Sequence, residues 1–414
     1  MDILNVLITI ACASIVLMFL VFIHEGGHYL ASRAFGVRVS EFMIGFPGPG
    51  ISFKRGETRF GVTVIPLGGY ARVCGMEAGA ESPHLEVVLA TMYRRGRADV
   101  EDVAEECGLG FDEAQAALDE LVEWGCLASP RKTDEFNTYR VLESPKLSRR
   151  ELKRLEAEYR AARGADEVEA ELAAAGNAAV AMPPEPAGVR SRPTEPRKPW
   201  EPRSYREGQA RPELAADPHA LYEAERARQY RALPFWKRSV ILVAGVFVNL
   251  LFAMLCFVLI YSVLGFDYQY ADTGEIVHVS VDPLRAIQAG FTYIGMVIEA
   301  VVSLFNPATA ADTVSNSTSI VGIAVMSKSA FEQGLTSVLS FMAMISVSLG
   351  IMNLVPIPPL DGGRFLVEII QKVSGKTVST RVMNTITMAG MALFLLFFVV
   401  MLNQDVQRFV FGNW

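Results

Sequence analysis

Long apolar stretches alternate with charged stretches along the chain. Four of the apolar stretches contain no Lys or Arg and are long enough to cross roughly 30 Å of hydrocarbon as helices: residues 3–23, 239–264, 335–360 and 382–402. The first stretch lacks the basic start and the small-residue cleavage site of a signal peptide, so we expect it to remain in the membrane. The pattern predicts an α-helical polytopic membrane protein with four spans and excludes a simple soluble enzyme.

A different periodicity follows the first span. Residues 51–58 and 59–65 alternate apolar and polar positions on either side of Gly56, which predicts a β-hairpin. Open strand edges are tolerated at membrane depth only where they line a cavity, and an extended peptide can pair with such an edge. We therefore expect a membrane-associated β-hairpin region whose edge binds a substrate strand, with a plain cytosolic hairpin as the alternative.

The stretch 291–305 is apolar but short, and it contains Glu299. These features favour an amphipathic helix at the outer membrane interface over a further span. Such a helix would cover the gap between the second and third spans, through which a substrate helix must enter.

The distribution of basic residues sets the expected orientation. Of the 38 Lys and Arg residues, 31 lie between Arg33 and Arg238, and four more lie between the third and fourth spans. Because short cytoplasmic loops carry the excess of basic residues, segments 29–238 and 361–381 are predicted to be cytosolic. The prediction is a multi-pass protein of the cell membrane with both termini outside. The net charge of −7 gives no bulk electrostatic reason to bind nucleic acid.

The chain divides into four predicted parts. Residues 1–75 contain the first membrane span and the hairpin region, and residues 236–414 contain spans two to four. Residues 76–146 show three helical patterns followed by two short β-like stretches, which resembles a cytosolic winged-helix insertion. Residues 147–235 are predicted to form charged helices and a Pro-rich linker.

The third helical pattern of this insertion has an unusual charge for a winged helix. It carries a set of acidic side chains: Asp112, Glu113, Asp119, Glu120 and Glu123. Acidic side chains repel nucleic-acid phosphates, whereas DNA-binding modules present basic ones. We therefore expect a regulatory module that docks a cytosolic protein partner, and we expect no nucleic-acid binding.

The first chemical motif lies where the first apolar stretch ends. His24, Glu25 and His28 form an H-E-x-x-H sequence. On a helix, positions i and i+4 share a face, so both imidazoles can bind one metal ion while Glu25 acts as a general base. Such a motif also occurs by chance, but ionisable groups at membrane depth are costly and are functional by default.

Two histidines leave a catalytic zinc ion one protein ligand short. The carboxylate at a comparable depth is Asp361, which ends the sequence N-L-V-P-I-P-P-L-D at the cytosolic end of the third apolar stretch. The prolines of this sequence predict the end of a helix. The five cysteines are scattered without a C-x-x-C pair, which argues against a thiolate zinc site.

Together these sequences resemble the site-2 proteases, which are intramembrane zinc metalloproteases, in a bacterial-type form that lacks a PDZ domain. The resemblance covers five segments: 24–28, 38–46, 65–70, 242–249 and 353–363. It implies Zn²⁺ held by three ligands: His24, His28 and Asp361. It also implies that Glu25 is the general base and that Asn353 and Pro356 help to seat the substrate. Bacterial members cleave anti-sigma factors, other single-span proteins or signal-peptide remnants, so the implied partners are a transmembrane-helix substrate and the lipid bilayer.

The chain departs from the family pattern in three ways. Val246 follows Gly245 where the family usually has Pro, the interval 265–334 is too short for a PDZ domain, and the insertion 76–235 replaces a short loop. Two other functions remain open at this point. One is a non-proteolytic membrane receptor or scaffold that retains a metal site, although such a relic would be expected to have lost Glu25 or a ligand. The other is a metal transporter, although the spans lack a ladder of polar residues.

Overall fold

The computed structural model describes residues 3–65, 68–77, 79–134, 136–144, 204–269 and 276–407, together with a few positions between 153 and 161. The predicted charged helices and Pro-rich linker of residues 147–235 therefore lie mostly outside the described residues as far as residue 203. The same holds for Pro66 and Leu67 of the segment 65–70.

In chain order, the described helices are α1 (Ile3–Ala34), α2 (Leu85–Arg95), α3 (Val100–Cys107), α4 (Phe111–Glu123), α5 (Pro218–Arg226), α6 (Phe235–Val258), α7 (Pro283–Ser303), α8 (Ala310–Asn316), α9 (Ile320–Gln333), α10 (Leu335–Asn353), α11 (Asp361–Ser374) and α12 (Thr380–Asp405). A 3₁₀ turn at Tyr230–Ala232 precedes α6, and a π-helical turn at Leu259–Leu264 continues it. The described strands are β1 (Val39–Ile44), β2 (Gly50–Arg55), β3 (Thr58–Thr63), β4 (Gly69–Val73), β5 (Arg97–Ala98), β6 (Leu127–Ala128), β7 (Tyr139–Val141), β8 (Phe266–Gln269) and β9 (Ile276–Val279).

Five of the described helices are long and apolar enough to cross a membrane: α1, α6 with its π-helical turn, α7, α10 and α12. The molecule is thus a mostly helical membrane protein, as predicted, but the expected number of candidate spans was four. The additional candidate is α7, which begins at Pro283 and not near residue 291. The side chain of Asp282 caps this helix by accepting a hydrogen bond from the Leu284 N–H, so the polar Arg285 falls in its first turn.

Helices α1, α6 and α10 pack together, with α1 and α10 running in one direction and α6 in the opposite direction. The ring centroids of Phe19 and Phe252 are 5.3 Å apart near one end of the α1–α6 pair, and His28 contacts Ile241 near the other end. These two helices are therefore antiparallel. Helix α10 runs parallel to α1, because its early residues pack with Val16 of α1 in one buried cluster and the loop that follows it brings Asp361 to His28. The C-terminal ends of α1 and α10 consequently meet the N-terminal half of α6.

A four-stranded sheet follows α1 in the order β2-β3-β1-β4. Strand β1 pairs in parallel with β3 and antiparallel with β4, whereas β2 and β3 form an antiparallel pair. Aromatic rings hold the sheet against α1, since Tyr29 makes edge contacts with both Phe42 and Phe60. One edge of the sheet is β2, whose residues are all exposed, and the other edge is β4, which contacts α1.

The insertion folds around its own core. Helices α2, α3 and α4 pack with a small sheet of order β5-β7-β6, and the buried cluster contains Leu89, Leu118, Leu121 and Trp124. Asp99 caps α3 through the Asp102 N–H, and Gly108 ends this helix in the left-handed conformation. The chain segment after residue 204 returns to this core and packs Ala215 against it.

The insertion joins the rest of the molecule at a buried arginine. Arg38 follows α1, and its guanidinium donates to Glu57 of the β2–β3 turn at 3.3 Å and to Glu225 of α5 at 2.8 Å. It also donates to the backbone carbonyls of Trp124 and Gly125, each at 3.0 Å. We call these residues, with Arg228 as a further partner of Glu57, the Arg38 junction.

Candidate metal centre

Helix α1 places two histidines on one buried face. His24 and His28 are only 6% and 7% exposed, and their Nε2 atoms are 3.4 Å apart. The close packing of α6 buries them. A Cβ atom on Gly27 would lie 2.5 Å from the carbonyl oxygen of Ala244, so only glycine permits this approach of α1 to α6.

Asp361 completes a group of three possible ligands. It is the first residue of α11, and the loop after α10 brings it to the end of α1. Its Oδ2 atom lies 3.1 Å from Nε2 of His24 and 3.1 Å from Nε2 of His28.

The distances among these atoms fit a zinc ion. Zinc bonds to nitrogen and oxygen are about 2.0–2.1 Å long, so tetrahedral ligand atoms are about 3.3–3.4 Å apart. The separations of 3.1, 3.1 and 3.4 Å lie close to this value. Among the described residues, His24, His28 and Asp361 are the group of three that could hold a metal ion.

Helix α6 forms the wall behind the two histidines. The carbonyl of Ile241 lies 2.8 Å from Nδ1 of His28, so a proton on Nδ1 is donated to it and Nε2 keeps its lone pair for a metal. Gly245 lies one turn further along. A Cβ atom there would be 2.4 Å from Nε2 of His28 and 2.9 Å from Nε2 of His24. Any side chain at position 245 would therefore enter the space beside the ligand atoms.

Glu25 lies outside the ligand group and faces the sheet. Its Oε2 atom accepts a hydrogen bond of 2.9 Å from the Ala71 N–H of β4. Gly69 of the same strand packs against α1, because a Cβ atom there would be 2.6 Å from Val21. The predicted general base is thus held between α1 and one edge of the sheet.

The other predicted site residues lie in the segment that leads to Asp361. Asn353 is the last residue of α10 and is half-buried, and Pro356 is exposed in the following loop. The three remaining histidines are elsewhere, and His84 precedes α2 of the insertion. His219 contacts Glu86 of the insertion, and His278 contacts Asp267 in the β8–β9 pair.

The sequence model of peptidase family M50 matches residues 12–397. The chain belongs to this family. This membership confirms the resemblance to the site-2 proteases, because the match extends from the first apolar helix to the last one.

Curated relatives of this M50-family chain align over shorter stretches. A Streptococcus pyogenes serotype M3 protein named as a zinc metalloprotease is 43% identical over 86 residues, which are 21% of this chain and 20% of that protein. The Enterococcus faecalis protein named as the protease Eep is 41% identical over 86 residues, with the same shares. A Lactococcus lactis protein, also named as a zinc metalloprotease, is 33% identical over 122 residues, which are 30% of this chain and 28% of that protein.

The chain therefore aligns with between a fifth and three tenths of the length of these relatives. Their names and the family agree with the predicted class of enzyme, a zinc metalloprotease, and with the predicted cofactor, Zn²⁺.

Several features of this M50 site were not deduced from the sequence. The segment 242–249 carried the family resemblance, but nothing in it indicated that Gly245 lies beside the ligand atoms or that the Ile241 carbonyl holds His28. The contact of Glu25 with Ala71 was also missed, because backbone N–H groups leave no signal in sequence.

Proposed function

We propose that this chain is a zinc endopeptidase that hydrolyses a peptide bond of single-span membrane proteins within the membrane. The observation that carries the proposal is the meeting of Asp361 with His24 and His28 at 3.1 Å, at the end of an apolar helix of spanning length. Anti-sigma-factor-like proteins and signal-peptide remnants are the substrates that we propose. Zinc, when bound, supplies Lewis acidity that polarises a carbonyl and makes water nucleophilic near neutral pH.

The protein's own residues supply the remaining steps. His24, His28 and Asp361 are the ligands in this proposal. Glu25 takes the proton from the attacking water and returns it to the leaving amine. Its hydrogen bond to Ala71 supports this role, because it fixes the carboxylate beside the strand that would hold the substrate. Asn353 and Pro356 seat the unwound substrate helix, and their place between α10 and Asp361 supports that assignment.

The sheet edge that we propose for the substrate is β4, not the hairpin of residues 51–65 favoured from the sequence. The order β2-β3-β1-β4 puts two strands between the hairpin edge and the strand that touches Glu25. The Ala71 N–H points away from β1, because it donates to Glu25. An extended substrate that pairs along β4 would present its backbone next to the general base.

The experiment that tests the function is replacement of Glu25 by Gln in purified protein. We expect one zinc per chain in both proteins, and a rate of cleavage of a single-span substrate in proteoliposomes that falls by at least about 10²-fold in Glu25→Gln. The control is Glu299→Gln, which removes an exposed acid from α7. Residual activity within tenfold of the wild type would contradict the role of Glu25. Zinc binding by the wild type with no cleavage of any single-span substrate would favour the receptor or scaffold.

We propose that both termini lie outside the cell membrane. Helices α1 and α10 run in the same direction and α6 runs in the opposite direction. The chain between the end of α6 and the start of α10 must therefore cross the membrane an even number of times. Helix α7 can cross only if α9 crosses back, and α9 has 14 residues, or about 21 Å, against about 30 Å of hydrocarbon. Both helices are therefore assigned to the outer half of the bilayer. Labelling of Ala308→Cys only from the cytosolic side would overturn this assignment.

We propose that the insertion is a winged-helix-like module that docks a cytosolic protein. Its exposed α3 and α4 carry acidic residues such as Glu105 and Asp112, which support a basic protein partner and disfavour nucleic acid. The double variant Glu105→Lys/Asp112→Lys should slow cleavage of the natural substrate in cells and leave cleavage of a minimal single-span substrate unchanged. Equal cleavage of the natural substrate by both proteins would refute the docking role.

A further inference from the structure

Asn249 of α6 is fully buried beside the metal centre. Its Nδ2 atom lies 3.2 Å from Nδ1 of His24, which is the ring nitrogen turned away from Asp361. Its Oδ1 atom is buried and has no hydrogen-bond partner among the described residues. Its backbone carbonyl accepts a hydrogen bond of 2.9 Å from the hydroxyl of Ser346 in α10, so the backbone at this position is anchored independently of the side chain.

The contact between Asn249 and His24 assigns the amide orientation. A neutral imidazole that offers Nε2 to a metal carries its proton on Nδ1, and that nitrogen can then only donate. An amide NH₂ group also only donates, so two donors face each other while the amide oxygen has no partner. The oxygen and nitrogen of an asparagine side chain are distinguished by their hydrogen bonds, and a half-turn of the amide places the acceptor Oδ1 against the Nδ1–H of His24.

We propose that Asn249 is a positioning residue of the metal centre. Its Oδ1 atom accepts the Nδ1–H of His24, which holds the ring in the tautomer and orientation that present Nε2 toward Asp361. This inference rests on the proposed function in one respect only, namely that His24 is a zinc ligand.

The helical spacing of α6 supports this role. Positions 241, 245 and 249 are successive at i, i+4 and i+8, so they lie on the face that packs against α1. The Ile241 carbonyl orients His28, Gly245 leaves space beside the two Nε2 atoms, and Asn249 orients His24. One helix that contributes no ligand thus holds both histidine ligands in place.

The test compares Asn249→Leu with Asn249→Asp. Leucine has a similar volume and cannot accept a hydrogen bond, whereas aspartate has two acceptor oxygens and no donor. We expect Asn249→Leu to bind zinc about 10–100-fold more weakly than the wild type in competition with a chelator, and Asn249→Asp to remain within about threefold. The absorption spectrum of the cobalt-substituted protein should change in Asn249→Leu and stay close to the wild type in Asn249→Asp. Ser346→Ala, which removes the hydroxyl on the Asn249 carbonyl, should leave zinc affinity unchanged.

Each outcome bears on the proposal. Zinc affinity in Asn249→Leu equal to the wild type would overturn it, and so would an Asn249→Asp variant that binds as weakly as Asn249→Leu. The rescue by Asp separates a lost acceptor from a damaged fold, since both variants alter the same buried position. If the wild type binds zinc and cleaves its substrate, and Asn249→Leu binds zinc as tightly, the positioning role fails and the proposed function stands. If His24→Ala keeps full zinc affinity, His24 is not a ligand, and both the ligand assignment and the positioning role fail.

Discussion

The metal centre and the Arg38 junction are both buried clusters of ionisable groups, and each joins distant parts of the chain. The junction contains donors and acceptors in balance. The guanidinium of Arg38 donates to Glu57, to Glu225 and to two backbone carbonyls, and Arg228 supplies a second cation for Glu57. Burial alone would lower the pKa of Arg38, but Glu225 and Glu57 outweigh it and raise that pKa, so the cation persists.

The metal centre is built differently. Nε2 of His24, Nε2 of His28 and Oδ2 of Asp361 point at one another within 3.4 Å, and each of these atoms carries a lone pair. With both imidazoles neutral, these three atoms are acceptors that one cation would satisfy together, and no Arg or Lys of the described residues pairs with Asp361. A buried cluster that neutralises its own charges supports the fold, whereas a buried cluster of converging lone pairs indicates a site for an external ion.

The largest effect should come from removing a ligand of the metal centre. Asp361→Ala leaves two histidines, which cannot hold zinc tightly, because catalytic zinc sites have three protein ligands. We expect the zinc content measured by elemental analysis to fall from one per chain to a trace, and cleavage of the single-span substrate to fall below detection. His219→Ala is the matched control, since it removes an exposed histidine of the insertion. Full zinc retention in Asp361→Ala would place the third ligand elsewhere.

The next largest effect should come from the junction, and it should leave zinc in place. Arg38→Met keeps much of the side-chain volume but leaves Glu57 and Glu225 buried without their cation. Breaking a buried pair in this way costs about 3–5 kcal/mol, so we expect a lower unfolding temperature and faster proteolysis of the insertion. Arg95→Met is the control, because Arg95 pairs with Asp102 and Glu106 at an exposed site worth at most about 1 kcal/mol. Loss of zinc in Arg38→Met would show that the two clusters are one structural unit.

The two clusters differ in how far the sequence predicts them. His24 and His28 are four residues apart on one helix, so their shared face follows from helical geometry, and Asp361 follows from its depth and from the family resemblance. The junction has no such local signal. The partners of Arg38 lie 19, 86 and 187 residues further along the chain, and only the folded insertion brings them to it.

The fold, too, is predictable from the sequence where a local pattern specifies an element, and not where distant segments meet. The apolar stretches predict the spanning helices, but the stretch 291–305 covers only part of α7, because Arg285 and Gln288 interrupt the apolar pattern of its first turns. Asp282 followed by Pro283 was an available signal for the start of this helix, since Asp is a favoured N-cap and Pro is favoured at the first helical position. The order of the strands in the sheet could not be predicted from the sequence. Alternation predicted the hairpin, but it could not indicate that β4 would be the edge beside Glu25.

A third prediction concerns pH and applies to the junction alone. Burial raises the pKa of Glu57, but Arg38 and Arg228 outweigh burial and lower it below its ordinary value of about 4.3. A lowered folded-state pKa contributes stability that is present above the unfolded value and is lost as pH falls through the folded value. We therefore expect the protection of the insertion from proteolysis to be constant from pH 7 to about 4.5 and to fall below that.

Two variants separate the contribution of the Glu57 carboxylate from those of other carboxylates that titrate in acid. Glu57→Gln should be less protected at neutral pH and should show a smaller further loss in acid than the wild type. Glu105→Gln, at an exposed position of α3, should follow the wild-type profile. A wild-type profile in Glu57→Gln would mean that another group controls the junction in acid.

The smallest effect should come from an exposed ion pair that links the same two parts of the molecule. Lys54 of β2 contacts Glu143, which follows β7 of the insertion, at 2.9 Å, and the two side chains are 35% and 48% exposed. Water screens both charges, so Lys54→Ala should lower the free energy of unfolding by at most about 1 kcal/mol. The change should shrink further between 0.05 and about 0.5 M salt, whereas the effect of Arg38→Met should persist there. Equal effects of the two variants at low salt would mean that charge, and not burial, sets the strength of the link between the insertion and the four-stranded sheet.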